Sequence, residues 1–168
     1  NVAGSNFTDS LSQLWSADTN TSGSTYSVSS SISGTTDPAL YKKVRYTSGT
    51  VLQYQFPAPT GSYNVKLKFA EIYYTQPNQR VFHIVLNGST VTQNFDIVAA
   101  AGGAFKALDK SFTVNSTGQI LLQLVPLIDN PVLSAIEITP STSLSCSPAS
   151  LTSGGVSSCS LTLNQPAP

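Results

Sequence analysis

The chain has 168 residues, about one domain's worth, and only 10% are charged, eight basic against eight acidic. A formal net charge of zero excludes the basic stripe with which a nucleic-acid binder neutralises phosphates, and equally a polybasic membrane-surface module. Hydrophobic residues at 40% supply a sizeable core, which excludes a disordered chain, and no apolar run approaches the roughly 20 residues of a membrane helix. The opening Asn1-Val2-Ala3-Gly4 has neither a basic nor an apolar leader region and reads as a terminus from which any signal peptide has gone.

In chain order, Ser16 to Gly34 is almost all Ser, Thr, Asn and Gly around Tyr26, either a long loop or weak edge strands. Period-two alternation then sets in, with Leu52, Tyr54 and Phe56 set against Val51, Gln53 and Gln55, and Tyr63, Val65, Leu67 and Phe69 set against Asn64, Lys66, Lys68 and Ala70. The run Pro57-Ala58-Pro59-Thr60-Gly61 separates these two strands as a turn. A strand at Phe82–Leu86 is followed by Asn87-Gly88 and Val91–Phe95, the strongest hairpin signal in the chain. Ala99-Ala100-Ala101-Gly102-Gly103-Ala104 is too small for a strand core and reads as a loop or a tight backbone approach. A turn at Ser116-Thr117-Gly118 precedes the alternating Ile120, Leu122 and Leu124, and Asp129-Asn130-Pro131 precedes Val132, Ser134, Ile136 and Ile138. Many short strands between turn formers, with few helical windows, specify an all-β fold: an antiparallel β-sandwich or jelly roll over residues 1–140.

Composition shifts at Pro140. Within 141–168, Leu144 and Cys146, then Cys159, Leu161 and Leu163, flank Thr152-Ser153-Gly154-Gly155, so the tail reads as a hairpin with both cysteines on its apolar face. Their spacing matches no zinc signature and the lone His83 is far away, so no metal site is expected. In a low-charge, Ser/Thr-rich chain the pair suggests a secreted or cell-surface protein with a Cys146–Cys159 disulfide, closing a loop of about 14 residues and contributing about 3 kcal/mol. The alternative is two free thiols in a cytosolic protein. A tail this short buries no core of its own. It is the start of a second domain, a flap on the sandwich, or a strand pair donated to a neighbouring chain. Asn-X-Ser/Thr triplets at Asn6, Asn20, Asn87 and Asn115 arise by chance in such a composition.

No catalytic constellation stands out. The eight acidic residues are spread along the chain with nothing to mark the facing pair that a glycosidase needs. Glu71, at the end of an apolar strand face, reads as a buried carboxylate bonded to backbone amides or a turn rather than as a general acid. His83 falls on the outward, solvent-facing side of its strand and has no second His to relay a proton. There is no Gly-x-Ser-x-Gly elbow, no phosphate loop and no Cys/His pair, so neither an enzyme nor a cofactor is expected. The tyrosines are more informative, seven against a single Trp. Tyr26, Tyr41, Tyr46, Tyr73 and Tyr74 sit in loops or at strand ends, where binding groups are usually placed. Tyr73 and Tyr74, being adjacent, cannot both be core on a strand, whereas a turn there lets both face out. Flat rings bind the apolar faces of sugars, and a loop carboxylate such as Asp129 binds the hydroxyl rim.

The run Asp37-Pro38-Ala39-Leu40-Tyr41-Lys42-Lys43-Val44-Arg45-Tyr46 resembles a signature of malectin and the malectin-like carbohydrate-binding modules. So do Leu67-Lys68-Phe69-Ala70-Glu71-Ile72-Tyr73-Tyr74, Gln79-Arg80-Val81-Phe82, Asn87-Gly88, Asn94-Phe95-Asp96-Ile97 and Asp129-Asn130-Pro131 with Ala135-Ile136-Glu137-Ile138, in the family's order over residues 1–139. Asn1-Val2-Ala3-Gly4 looks like its opening strand. The resemblance implies a β-sandwich lectin domain that binds glucose-type oligosaccharides without catalysis. In the animal members the ligand is a diglucosylated high-mannose N-glycan. The family's sugar-contacting residues fall on Tyr26, Tyr46, Tyr73, Tyr74 and Asp129, with Tyr74 where the animal members carry Phe. The chain lacks their long charged insertions and is closer to secreted bacterial modules appended to enzymes or surface proteins. Its tail, from Leu144 to Leu163, resembles the first strands of an Ig-like repeat. A shallow sugar site of this kind binds at roughly 10–1000 µM. The competing expectation is a structural extracellular surface or filament module that assembles with its neighbours through the C-terminal strands.

Overall fold

A computed structural model describes residues 1–19, 22–147, 156 and 158–163. Its strands are β1 (Phe7–Thr8), β2 (Leu14–Trp15), β3 (Ser24–Ser27), β4 (Lys43–Tyr46), β5 (Leu52–Phe69), β6 (Val81–Leu86), β7 (Ser89–Phe95), β8 (Leu108–Ile128), β9 (Val132–Leu133), β10 (Ala135–Pro140), β11 (Thr142–Ser147) and β12 (Ser158–Leu163). A single turn of 3-10 helix at Pro38–Tyr41 and one short helix, α1 (Ile97–Ala101), complete the described elements. All strand pairs are antiparallel, as the alternation predicts.

The organising element is one long ribbon. β5 and β8 pair from Leu52↔Leu124 at one end to Phe69↔Leu108 at the other. β10 adds to β5 beside Tyr63–Lys68, and β6 adds to β8 beside Leu122–Ile128, with β7 outside it. Phe69 lies opposite Leu108, and Phe82 lies opposite Pro126, about 18 residues further along β8. On a straight ribbon these rings would be about 60 Å apart. Their centroids are 6.1 Å apart, and Phe95 is 5.0 Å from Phe69. The ribbon is therefore folded over on itself, and its two halves form the two layers of the sandwich. Leu52, Val65, Leu67, Phe69, Phe82, Ile84, Ile120, Leu122 and Leu124 are sealed between them.

The fold line corrects two expected turns. Pro57–Gly61 and Ser116–Gly118 interrupt neither strand; instead they face each other across the ladder, where the register shifts by one residue between Ala58 and Gly61. Pro57 and Pro59 cannot donate to the ladder. The Ser116 hydroxyl bridges the gap, donating to the Ala58 carbonyl at 2.7 Å and accepting from the Gly118 amide at 3.1 Å. Paired breaks bend a strand pair where a lone break would end it.

Beside this ribbon, β3, β4 and β9 form a three-stranded sheet. Only Ser134 separates β9 from β10, and its amide donates to the Lys68 carbonyl at 3.0 Å. Ser16–Gly34 does supply an edge strand, β3, all of it exposed. Three further expectations change. Asn1–Gly4 is a turn rather than a strand, docked through the Val2 amide on the Ser134 carbonyl at 3.0 Å. The alanine-rich stretch contains α1, because Asp96 caps its N-terminus through the Ala99 amide and Gly102 ends it in the left-handed region. Along β9 and β10, Val132 to Ala135 are all buried while Ile136 and Ile138 are half-buried, so alternation fails at the Ser134 junction. Asn87 and Gly88 form the expected hairpin turn, both at positive φ (48° and 79°). In the tail β11 pairs with β12, Cys146 opposite Cys159.

Candidate functional site

The ribbon's fold brings its far ends to one rim. The loop after β5 carries Glu71 to Arg80, and the turn after β8 carries Asp129 and Asn130. Glu71 is buried, 1% exposed. Its Oε1 accepts the backbone amides of Tyr73 and Tyr74 at 3.0 and 3.1 Å, as expected for a carboxylate bonded to a turn. The chain therefore leaves strand geometry at that point, and both tyrosines reach the surface. Further along, Gln79 accepts the Gln76 amide at 2.9 Å, and Asp96, which caps α1, accepts the Asn78 amide at 2.5 Å. Side-chain acceptors thus satisfy the backbone of a loop that has no ladder partner.

Arg80 links this loop to Asp129. It is 7% exposed, its Nε lies 2.6 Å from Glu71 Oε2, its Nη1 lies 3.1 Å from Asp129 Oδ2, and it donates to the Asn130 carbonyl. Its guanidinium carbon stands 5.1 Å over the Tyr74 ring. Asp129 adopts φ +55°, a conformation that Asp tolerates better than most residues. Asn130 Oδ1 accepts the Gly49 amide at 2.8 Å, tying this turn to the one after Tyr46. The Tyr74 hydroxyl is pushed above the ordinary tyrosine range by removal from water, then by its hydrogen bond to Asp129 and that residue's charge. It stays a protonated donor.

Tyr26 and Tyr73 meet edge to face at 5.6 Å, as do Tyr73 and Tyr74 at 4.9 Å. Tyr73 is 61% exposed and Tyr26 39%. Together Tyr26, Tyr46, Tyr73, Tyr74 and Asp129 line one cleft of about 250 Å³, with Val44, Ile72 and Val132 beside them and Glu71 and Arg80 behind. All five residues singled out from the sequence share this cleft. Tyr41 does not; its hydroxyl donates to Asp109 at 2.5 Å in a separate cluster. His83 lies on the outward side of β6 but is half-buried, its Nδ1 accepting the Asn94 amide at 3.1 Å. Arg80 is the residue that sequence reasoning missed. The available signal was Glu71 itself, since a carboxylate buried in an apolar strand end needs a counter-ion. Among the described residues no cluster suited to a metal ion occurs.

The sequence profile of the malectin domain matches residues 1–136. Malectin of Mus musculus is 40% identical over 67 residues, 39% of this chain and 23% of that protein. A probable LRR receptor-like serine/threonine-protein kinase of Arabidopsis thaliana is 32% identical over 119 residues, 60% of this chain and 12% of that protein. The chain thus spans under a quarter of the length of these relatives. Among solved structures, the extracellular domain of ANXUR2 from Arabidopsis thaliana superposes with a TM-score of 0.74 over 82% of this chain and 46% of that one, at 24% identity. A calcium-binding mutant of Bacteroides uniformis beta-glucuronidase 2 gives a TM-score of 0.74 over 17% of its length, at 23% identity. Both likenesses are of fold alone.

Proposed function

The chain belongs to the malectin domain family, a carbohydrate-binding family, and from that premise we propose that it is a non-catalytic module that holds a glucose-type oligosaccharide in the cleft of Tyr26, Tyr46, Tyr73, Tyr74 and Asp129. What supports this reading is the gathering of exposed rings and one carboxylate in a single cleft. The exposed face of Tyr73 packs on the C–H face of a pyranose, while Asp129 and the Tyr74 hydroxyl take its hydroxyls. Asp129 is engaged by Arg80 at Oδ2 and also accepts from the Tyr74 hydroxyl, so the sugar meets the remaining acceptor capacity of a carboxylate already held in place. Glu71, locked to Arg80 and two amides, is a support rather than an acid catalyst. In this reading the domain works outside the cell, joined to other domains of a longer protein. The Cys146↔Cys159 register supports a disulfide across the tail, with 1–140 as the binding module and 141–168 as its link to a further domain.

Titration calorimetry with maltose, nigerose and cellobiose tests the reading. At least one should bind in the 10–1000 µM range, and Asp129→Ala should abolish that binding while the melting temperature stays within a few degrees. Binding unchanged in both Asp129→Ala and Tyr73→Ala would overturn the site. Turnover of any of the sugars would overturn the non-catalytic assignment.

The second reading, a structural module that assembles through its tail, is favoured by one observation. Among the described residues β11 and β12 pair only with each other, leaving edges open to a further strand. Size-exclusion chromatography over a range of concentrations separates the two.

A further inference from the structure

The cleft has a charge asymmetry that bears on which sugars it admits. Its charged lining is two carboxylates, Glu71 and Asp129, against one guanidinium, Arg80, which leaves an excess of one negative charge. The cation is also largely covered and already engaged. Arg80 is 7% exposed, is held by Glu71 at 2.6 Å and Asp129 at 3.1 Å, and is roofed by the Tyr74 ring at 5.1 Å. Asp129 remains 31% exposed at its side chain. Nor does β4 offer a cation. Val44 and Tyr46 line the cleft, whereas Arg45, between them, is turned away onto Asp18 at 2.7 Å. A ligand therefore meets a carboxylate and tyrosine hydroxyls, with no free positive charge among the described lining residues.

We propose that this cleft selects by charge, admitting uncharged pyranoses and rejecting uronates and other anionic sugars. The inference rests on the glycan reading above and goes beyond it by naming the class of sugar excluded. A ligand carboxylate within a few ångströms of Asp129 is repelled by like charge in a partly desolvated site, and Arg80, its charge already shared between Glu71 and Asp129, compensates that repulsion only in part. The expected discrimination is about tenfold or more at low ionic strength.

The test uses whichever of maltose, nigerose and cellobiose binds tightest, together with its counterpart in which both C6 hydroxymethyl groups are oxidised to carboxylates, so that either ring carries the charge into the cleft. Calorimetry should show the dianionic sugar about tenfold or more weaker. Its affinity should recover as salt is raised to about 0.5 M while the neutral sugar's stays flat. In Asp129→Asn, whatever affinity remains should differ by no more than about threefold between the two sugars. A dianionic sugar that binds as tightly as the neutral one in low salt, or a discrimination that neither salt nor Asp129→Asn reduces, overturns the charge filter and leaves the glycan site standing. Failure of every sugar to bind overturns both.

Discussion

Two clusters in this protein use nearly the same chemistry in opposite layering. In the cleft, the ion pairs of Arg80 with Glu71 and Asp129 lie behind, and the rings of Tyr73 and Tyr26 stand in front, 61% and 39% exposed. In the second cluster the rings lie behind. Trp15 and Tyr41 are buried at 5% and 3% exposure, and the Lys68 ammonium sits in front, 5.4 and 5.5 Å from the two ring centres and 2.7 Å from Asp109. There Tyr41 donates to Asp109, and the Trp15 indole donates to Asp9 at 2.9 Å, closing the β1–β2 hairpin whose indole Lys68 of the ribbon covers. The Tyr41 hydroxyl, raised by burial and then by the Asp109 bond and charge, does not ionise near neutrality. Rings with a cation over their faces are spent on the fold, whereas rings with the cation beneath them are offered to solvent. Which layer holds the charge separates a clasp from a binding face.

That contrast can be broken, starting with the largest effect. Glu71→Ala strands Arg80 without its buried partner and leaves the amides of Tyr73 and Tyr74 unpaired, so denaturant unfolding should show a loss of about 3–5 kcal/mol. A loss under about 1 kcal/mol would mean that the pair does not hold the loop. Tyr73→Ala should do the reverse, lowering sugar affinity about 30-fold while moving stability by about 0.5 kcal/mol; both are read from one calorimeter sample and one melt. Lys68→Met should reverse it again in the second cluster, costing about 1 kcal/mol of stability and leaving sugar affinity unchanged. A change in affinity would show the two clusters to be coupled. The smallest effect is at acid pH. Asp9 titrates below its ordinary value of 3.8, chiefly through the Trp15 indole bond. Its contribution is therefore complete above that value and is lost as pH falls through the lower folded one. Asp9→Asn should flatten that part of the stability profile below about pH 4 and lower stability at neutral pH, where the carboxylate's contribution is complete, so that the variant and the parent converge only in acid.

How much the sequence made legible depends on how local each signal is. Alternation at Tyr63–Phe69 and Phe82–Leu86 and the Asn87-Gly88 turn are encoded within a few residues, and they hold. The five cleft residues were legible because a tyrosine or aspartate beside turn formers is placed at a rim wherever the strands lead. Arg80 was not, since its meaning depends on Glu71, and on Asn130, 50 residues away. The continuity of β5 and β8 was hidden for the same reason. Pro57–Gly61 alone spells a turn, and only its pairing with Ser116–Gly118 makes it a bend. α1 was written in Asp96 and Gly102, at its two ends, while the alanines between them drew the eye. The alternation through Ser134 misled because two different sheets claim the residues on either side of it.

The bent ribbon has a mechanical consequence. Two sides of the cleft belong to different leaves of one doubled strand pair, Tyr73 and Tyr74 beyond the tip of one and Asp129 beyond the tip of the other. In the proposed glycan site, a sugar gripped between them would act as a pin through a closed hinge, strengthening the domain against peeling by RT ln(1 + [L]/Kd). A module tethered within a longer chain under tension would let go of its glycan as its leaves part, and it would resist parting most while loaded.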